Sequence, residues 1–152
     1  MPLAVLLPWA GVVIGGRSGP GILGVLASRG PAAVKQPVAV MLLGILNFVP
    51  DNDEAIALVS RLVAALPSGS FVAISHPTTE INGDVMIEAL RLWNEGPSAK
   101  MVLRSRDEVA QFFPGLELVE PGVVTCSHWR PDPQTDRVTE EVPHYGGVGR
   151  KV

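Results

Sequence analysis

The sequence predicts an α/β protein with a parallel βαβ core, because two apolar runs flank a clear helical pattern. Val38–Leu46 is a nearly continuous apolar run, which is typical of a central parallel strand covered on both faces. Ser70–Ser75 is a second, shorter run of the same kind. Between the two runs, aliphatic side chains recur every three or four residues, at Ile56, Val59, Leu62, Val63 and Leu66. We therefore expect two parallel strands joined by a right-handed helical crossover.

Polar residues predict where the helices begin. Asp51 or Asn52 can cap the helix between the two strands. A second helix is predicted over Asp84–Asn94, where apolar residues again share one face. Ser105 and Glu108 have the spacing of a capping box, so a short third helix is expected to start there.

The remaining sequence predicts shorter strands and a loop. Leu116–Val119 and Val123–Trp129 alternate well enough to be strands, and Arg130–Pro143 is polar and contains proline, as a long loop does. Tyr145–Lys151 is predicted to be a final strand. Three large aromatic residues are predicted to lie in the core: Trp93, Phe112 and Phe113.

The charge and composition of the sequence change near residue 36. Residues 1–50 carry three basic residues and none of the fifteen Asp and Glu residues, whereas the whole chain has a net charge of −3. Residues 1–36 are also rich in glycine and proline, which interrupt any helix or strand placed there. We therefore divide the sequence into residues 1–36, a segment that is expected to be poorly ordered, and residues 37–152, which fold.

Composition excludes several classes of function. Cys126 is the only cysteine, so no internal disulfide can form, which fits a reducing compartment and predicts a cytoplasmic location. His128 and His144 lack the spacing of metal ligands, so no metal is expected. The apolar run 38–49 is shorter than the roughly 20 residues that span a bilayer, so no membrane contact is expected. Basic residues form no dense cluster, so no nucleic-acid partner is expected.

Six segments from residue 37 onward occur in an order that is specific as a series. They are Pro37–Asp51 (PVAVMLLGILNFVPD), Leu66–His76 (LPSGSFVAISH), Leu103–Phe113 (LRSRDEVAQFF), Leu116–Gly122 (LELVEPG), Trp129–Asp132 (WRPD) and Tyr145–Lys151 (YGGVGRK). This series resembles the C-terminal half of the actinobacterial S-adenosyl methyltransferase family. Residues 1–36 do not take part in the resemblance.

The resemblance implies a class I methyltransferase fold, with a Rossmann-like sheet of which this chain holds strands four to seven. The result would be a partial sheet of mostly parallel strands with a C-terminal β-hairpin. The resemblance also implies S-adenosylmethionine as cofactor and a small-molecule methyl acceptor. Ligands of such sheets lie across the carboxyl ends of the strands, so Asn47 and Phe48 are predicted to contact the cofactor and His76 the acceptor. No catalytic residue is assigned.

Such a fold normally binds its cofactor through a glycine loop and an acidic residue in its first half. Residues 1–50 contain no acid, and the glycines of Gly15–Gly21 lie too close to Pro37 for two further strands and helices to intervene. The prediction is therefore a truncated family member, whose cofactor binding and activity alone are in doubt. Two alternatives stay open: a non-catalytic fragment or interaction module that self-associates through an open sheet edge, and a small nucleotide-binding domain that uses Gly15–Gly21.

Overall fold

The computed structural model describes residues 36–133 and 140–152. Sequence predictions for residues 1–35, including the loop Gly15–Gly21, lie outside these residues. The helices of the described part are α1 (Asn52–Ala65), α2 (Gly83–Glu95) and α3 (Arg106–Ala110). Its strands are β1 (Ala39–Leu43), β2 (Phe71–Pro77), β3 (Glu117–Leu118), β4 (Val124–Thr125) and β5 (His144–Arg150). Two short 3-10 turns, Leu46–Phe48 and Cys126–His128, follow β1 and β4.

The described strands form one sheet in the order β1-β2-β5-β3, and β4 pairs with β5 beside β3. β1 and β2 are parallel, with Val40 opposite Val72, so the predicted α/β class and the βαβ unit are confirmed. β5 is antiparallel to β2, β3 and β4. Parallel pairing needs a crossover of a dozen or more residues, usually helical, and α1 forms the crossover between β1 and β2. Among the described pairs, β1–β2 is parallel, the three pairs that involve β5 are antiparallel, and β4 and β5 form the C-terminal pair.

Helix α1 covers one face of the sheet, as its apolar pattern predicts. Its side chains Val59, Leu62 and Val63 are buried in the same core as residues of β1 and β2. Asp51 caps the helix by accepting a hydrogen bond from the Glu54 amide at 2.8 Å. At the other end, the Lys151 ammonium donates to the carbonyls of Val63, Ala64 and Leu66, in the last turn and its cap, where a positive charge is favourable.

Helix α3 starts with the predicted capping box, in which Ser105 and Glu108 each bind the backbone of the other. The helix leads into Phe112 and Phe113, which are buried as predicted. Phe113 packs against β5 where that strand carries Gly147 and Gly149. The glycines are needed there because aromatic and aliphatic side chains occupy the space that a Cβ would take.

Two predictions about the core are wrong. Trp93 is 39% exposed, and α2 buries none of its residues, because a helical apolar stripe does not tell which partner covers it. β1 is not buried on both faces either: Met41 and Leu43 are 38% and 56% exposed, while Val40 and Leu42 are buried. Among the described residues, Met41, Leu43 and Phe71 share one sheet face, are exposed and do not belong to the buried core.

Replacing Gly149 with alanine should destabilise the fold by about 1–3 kcal/mol. The added Cβ would lie 2.8 Å from Leu116 Cβ and 2.9 Å from Phe113 Cδ1, so the neighbouring side chains must move. Gly83→Ala is the matched control, since a Cβ there meets nothing within 4 Å and alanine at the start of α2 should stabilise by about 0.4–1 kcal/mol. Urea denaturation of both variants measures the difference, and equal stabilities would contradict this packing.

Candidate functional site

The carboxyl end of β1 turns sharply before α1 begins. Gly44 has a φ of +62°, which favours glycine, and its amide donates to the Ser75 carbonyl of β2 at 3.1 Å. The 3-10 turn Leu46–Phe48 follows, and Asp51 then caps α1. Ligands of open α/β sheets bind outside the carboxyl ends of the strands, so this turn is the part of the described chain where a ligand is expected.

Asn47 lies in that turn with an unsatisfied side chain. The residue is 3% exposed, and its backbone carbonyl accepts a hydrogen bond from the Val102 amide at 2.8 Å. Its side-chain Oδ1 is buried and finds no donor in the described structure. A buried acceptor without a donor costs about 1–3 kcal/mol, so a native structure keeps one only where a further group satisfies it or strain is tolerated.

Phe48 forms an apolar surface next to Asn47. Its ring is half-buried and lies 5.9 Å from the Trp93 ring, centroid to centroid, with the planes tilted by 46°. The Trp93 indole donates to the Ala99 carbonyl at 2.9 Å, which holds the ring in place. The turn after β1 and helix α2 therefore meet through an aromatic pair.

Arg104 is buried beneath the turn at 2% exposure and uses every N–H of its guanidinium. The Nη1 and Nη2 atoms donate to the backbone carbonyls of Leu46 at 2.9 Å, Val49 at 2.6 Å and Pro50 at 3.3 Å. The remaining two N–H groups reach Asn52 Oδ1 at 2.5 Å and His76 Nε2 at 2.8 Å. The side chain therefore joins the carboxyl end of β1 to that of β2.

His76 is fully buried near the end of β2, and both of its ring nitrogens are engaged. Nδ1 lies 2.8 Å from the Pro77 carbonyl, and Nε2 receives the Arg104 hydrogen bond. Because a guanidinium can only donate, we assign the proton to Nδ1 and the lone pair to Nε2. Burial, more than any other cause, lowers the pKa of His76 to about 4, so the ring is neutral at pH 7.

The structure thus brings the three predicted site residues to neighbouring strand ends. Asn47 and Phe48 lie in the turn after β1, and His76 reaches the same turn through Arg104. The roles of these residues in binding stay predictions. Sequence reasoning missed Arg104, although an arginine between apolar residues and a capping box is an unusual place for a charge. Across the described ranges, no group of three or more His, Cys, Asp or Glu side chains could hold a metal ion.

The sheet order and the antiparallel last strand agree with the class I methyltransferase fold of similar solved structures. A protein of the DUF574 family from Streptomyces avermitilis has 35% identity and a TM-score of 0.74, over 84% of this chain and 50% of that one. A protein from Thermobifida fusca described as a methyltransferase has 27% identity and a TM-score of 0.68, over 84% and 49%. A SAM-dependent methyltransferase from Methanosarcina mazei, at 10% identity and a TM-score of 0.50, shares the fold.

The S-adenosyl methyltransferase family model matches residues 22–152, and the chain belongs to that family. The match begins upstream of the boundary that the sequence predicts at residue 37. No curated protein matches the chain. The chain spans about half the length of the first two solved relatives. Within the described residues, no helix combines the length and the apolar character that crossing a bilayer requires.

The free energy of unfolding should fall as the pH is lowered from 6.5 to 4, in part because of His76. The folded pKa is about 4 and the unfolded pKa about 6.5, so in this range the unfolded chain binds more protons than the folded one. At roughly 1.4 kcal/mol per pH unit, the full loss from His76 is about 3 kcal/mol.

Urea denaturation across this pH range, compared with His76→Gln, measures the contribution. Glutamine can still accept the Arg104 hydrogen bond but does not titrate, so its stability should fall less steeply with acid. The two proteins share every other ionisable group, so the difference between their curves reports His76 together with its coupling to His144 and Glu108. Parallel curves for the two proteins would show that His76 does not titrate as derived.

Proposed function

We propose that this chain is the C-terminal part of an S-adenosylmethionine-dependent methyltransferase domain, and that the turn after β1 forms one wall of its cofactor site. The observation that carries the proposal is the buried Oδ1 of Asn47, which lacks a donor at the ligand-binding edge of the sheet. Family membership supports the same cofactor. A cytoplasmic location and a small-molecule methyl acceptor are parts of the proposal.

The chemistry of the turn fits one side of S-adenosylmethionine. The cofactor carries N–H donors on its adenine and its methionine portion, and Asn47 Oδ1 would accept a hydrogen bond from one of them. Phe48, supported by Trp93, would offer an aromatic surface to the flat adenine ring. The groups that hold the ribose in a class I domain belong to its first half. In this proposal they come from residues other than those of the turn.

When bound, the cofactor supplies an electrophilic methyl group, and the protein aligns the acceptor with it and excludes water. Such a reaction needs no strong acid–base pair. His76 is neutral, and the lone pair on its Nε2 is already engaged by Arg104, which disfavours a role as general base. Contact of His76 with the methyl acceptor remains a prediction.

A second candidate function is that of a non-catalytic interaction module. Met41, Leu43 and Phe71 are exposed on the sheet face opposite the buried side chains of β1 and β2. Among the described strands, β1 pairs with β2 alone, so its other edge can accept a further strand. Both features favour association with another polypeptide, including a second copy of this chain. The further alternative, nucleotide binding by Gly15–Gly21, lies outside the described residues.

Isothermal titration calorimetry of the purified chain with S-adenosylmethionine should give a measurable heat of binding, with an affinity below that of a domain that also supplies the ribose contacts. Asn47→Ala should weaken binding about tenfold, because one buried hydrogen bond between protein and cofactor is lost. Asn82→Gly is the matched control, since Asn82 is exposed with a φ of +52°, which glycine adopts freely, and its affinity should be unchanged.

Analytical ultracentrifugation separates the two candidate functions. A monomer that binds the cofactor, with the loss expected for Asn47→Ala, supports the methyltransferase proposal. Dimers with no heat of cofactor binding would instead support the interaction module. Equal affinity of the wild type and Asn47→Ala would remove Asn47 from the site.

A further inference from the structure

We propose that Arg104 is the positioning residue of the candidate site: it sets the shape of the turn after β1 and holds His76 in a single tautomer. The consequence for cofactor affinity rests on the proposed function. The effect on the turn and on His76 does not, because it follows from contacts within the chain.

The first step is that the guanidinium has no donor left for a ligand. Its five N–H groups meet five acceptors, three of them carbonyls of the turn and two of them side chains, Asn52 and His76. Arg104 is also 2% exposed. Any influence on a bound molecule must therefore pass through the groups that the guanidinium holds.

The second step is that these groups bracket the predicted ligand contacts. Leu46 and Val49 lie immediately before and after Asn47 and Phe48, and the carbonyls of both accept from Arg104. The backbone amide of Arg104 donates to the Pro77 carbonyl at 3.2 Å, which fixes the same residue to the end of β2. The turn is thus held on both sides of the ligand-facing pair and tied to the neighbouring strand.

The third step concerns the buried positive charge. Arg104 contacts Asn52 Oδ1, while the amide of Asn52 donates to Glu108 Oε1 at 3.2 Å, so one asparagine links the cation to a carboxylate. The guanidinium also lies 5.1 Å from the centre of the Phe112 ring. Burial lowers the pKa of Arg104, and the nearby Glu108 and Asp51 oppose that shift. A guanidinium stays protonated in proteins, so the charge is retained.

The fourth step is that lysine cannot take over this role. An ammonium carries three donors on one atom. Arg104 instead has five acceptors, which lie on the turn after β1, on the first residue of α1 and on β2. Lysine keeps the charge but leaves carbonyls of the turn without a donor. Comparison of the lysine and methionine variants therefore separates the effect of the positive charge from the effect of the hydrogen bonds that only the planar guanidinium can form.

Nitrogen-15 NMR of the wild-type protein tests the arrangement without any substitution. We expect His76 to show the tautomer with the proton on Nδ1 at neutral pH, and the Arg104 side-chain N–H signals to exchange slowly with water. Besides Arg104, the charged groups that act on His76 are His144 and Glu108. A proton on Nε2, or Arg104 signals that exchange like those of the exposed Arg91, would overturn the proposal.

The variants Arg104→Lys and Arg104→Met test the effect on the turn. Hydrogen exchange of the Val102 amide, which donates to the Asn47 carbonyl, should become at least about tenfold faster in both. The NMR titration of His76 should move toward the ordinary range in Arg104→Met. Arg91→Met, an exposed arginine that forms ion pairs within α2, is the control and should change neither.

Calorimetry with S-adenosylhomocysteine completes the test. Affinity should fall at least about tenfold in both Arg104 variants and stay unchanged in Arg91→Met. Folded Arg104→Lys protein with wild-type Val102 exchange and affinity would overturn the proposal. If wild-type protein binds no cofactor, the proposed function fails. The tautomer of His76 and the hydrogen exchange of the Val102 amide still test the role of Arg104. If neither variant folds, the wild-type spectra decide it.

Discussion

The candidate site of this molecule depends on one buried guanidinium that donates to carbonyls of the turn between β1 and α1. Buried carbonyls outside helices and sheets need donors from elsewhere, and each one left without a donor costs about 1–3 kcal/mol. Arg104 supplies donors to three of them and to His76 at once. The shape of the turn and the tautomer of the histidine therefore depend on the same side chain, which joins the ends of β1 and β2.

Local pattern was sufficient to predict α1, its Asp51 cap and the capping box of α3, because each depends on residues three or four positions apart. The contacts of Arg104 could not be predicted from local sequence patterns. Its partners Leu46 and Val49 are 58 and 55 positions away, and no periodic pattern connects them. For Trp93 the local pattern predicts too much. The apolar residues of α2 do share one face, but none of them is buried in the core.

The resemblance to a methyltransferase family could be identified from short segments because these segments contain helix caps and core contacts of the fold. The segment Leu103–Phe113 contains the buried arginine, the capping box and the two core phenylalanines. The segment Tyr145–Lys151 contains the glycines packed against Phe113 and the lysine that caps α1. The position of Asn47 was predictable from the fold class, whereas its unpaired Oδ1 depends on the three-dimensional packing of the turn.

The central place of β5 in the sheet has a consequence for synthesis of the chain. β5 lies between β2 and β3, yet it is later in sequence than every strand with which it pairs. Among the described strands, β3 and β4 pair with β5 alone, so on the ribosome these pairs and the lysine cap of α1 form only after residues 144–151 have emerged. Long-range pairing of this kind delays folding, so the nascent chain exposes an unfinished sheet edge to chaperones until translation of this stretch ends.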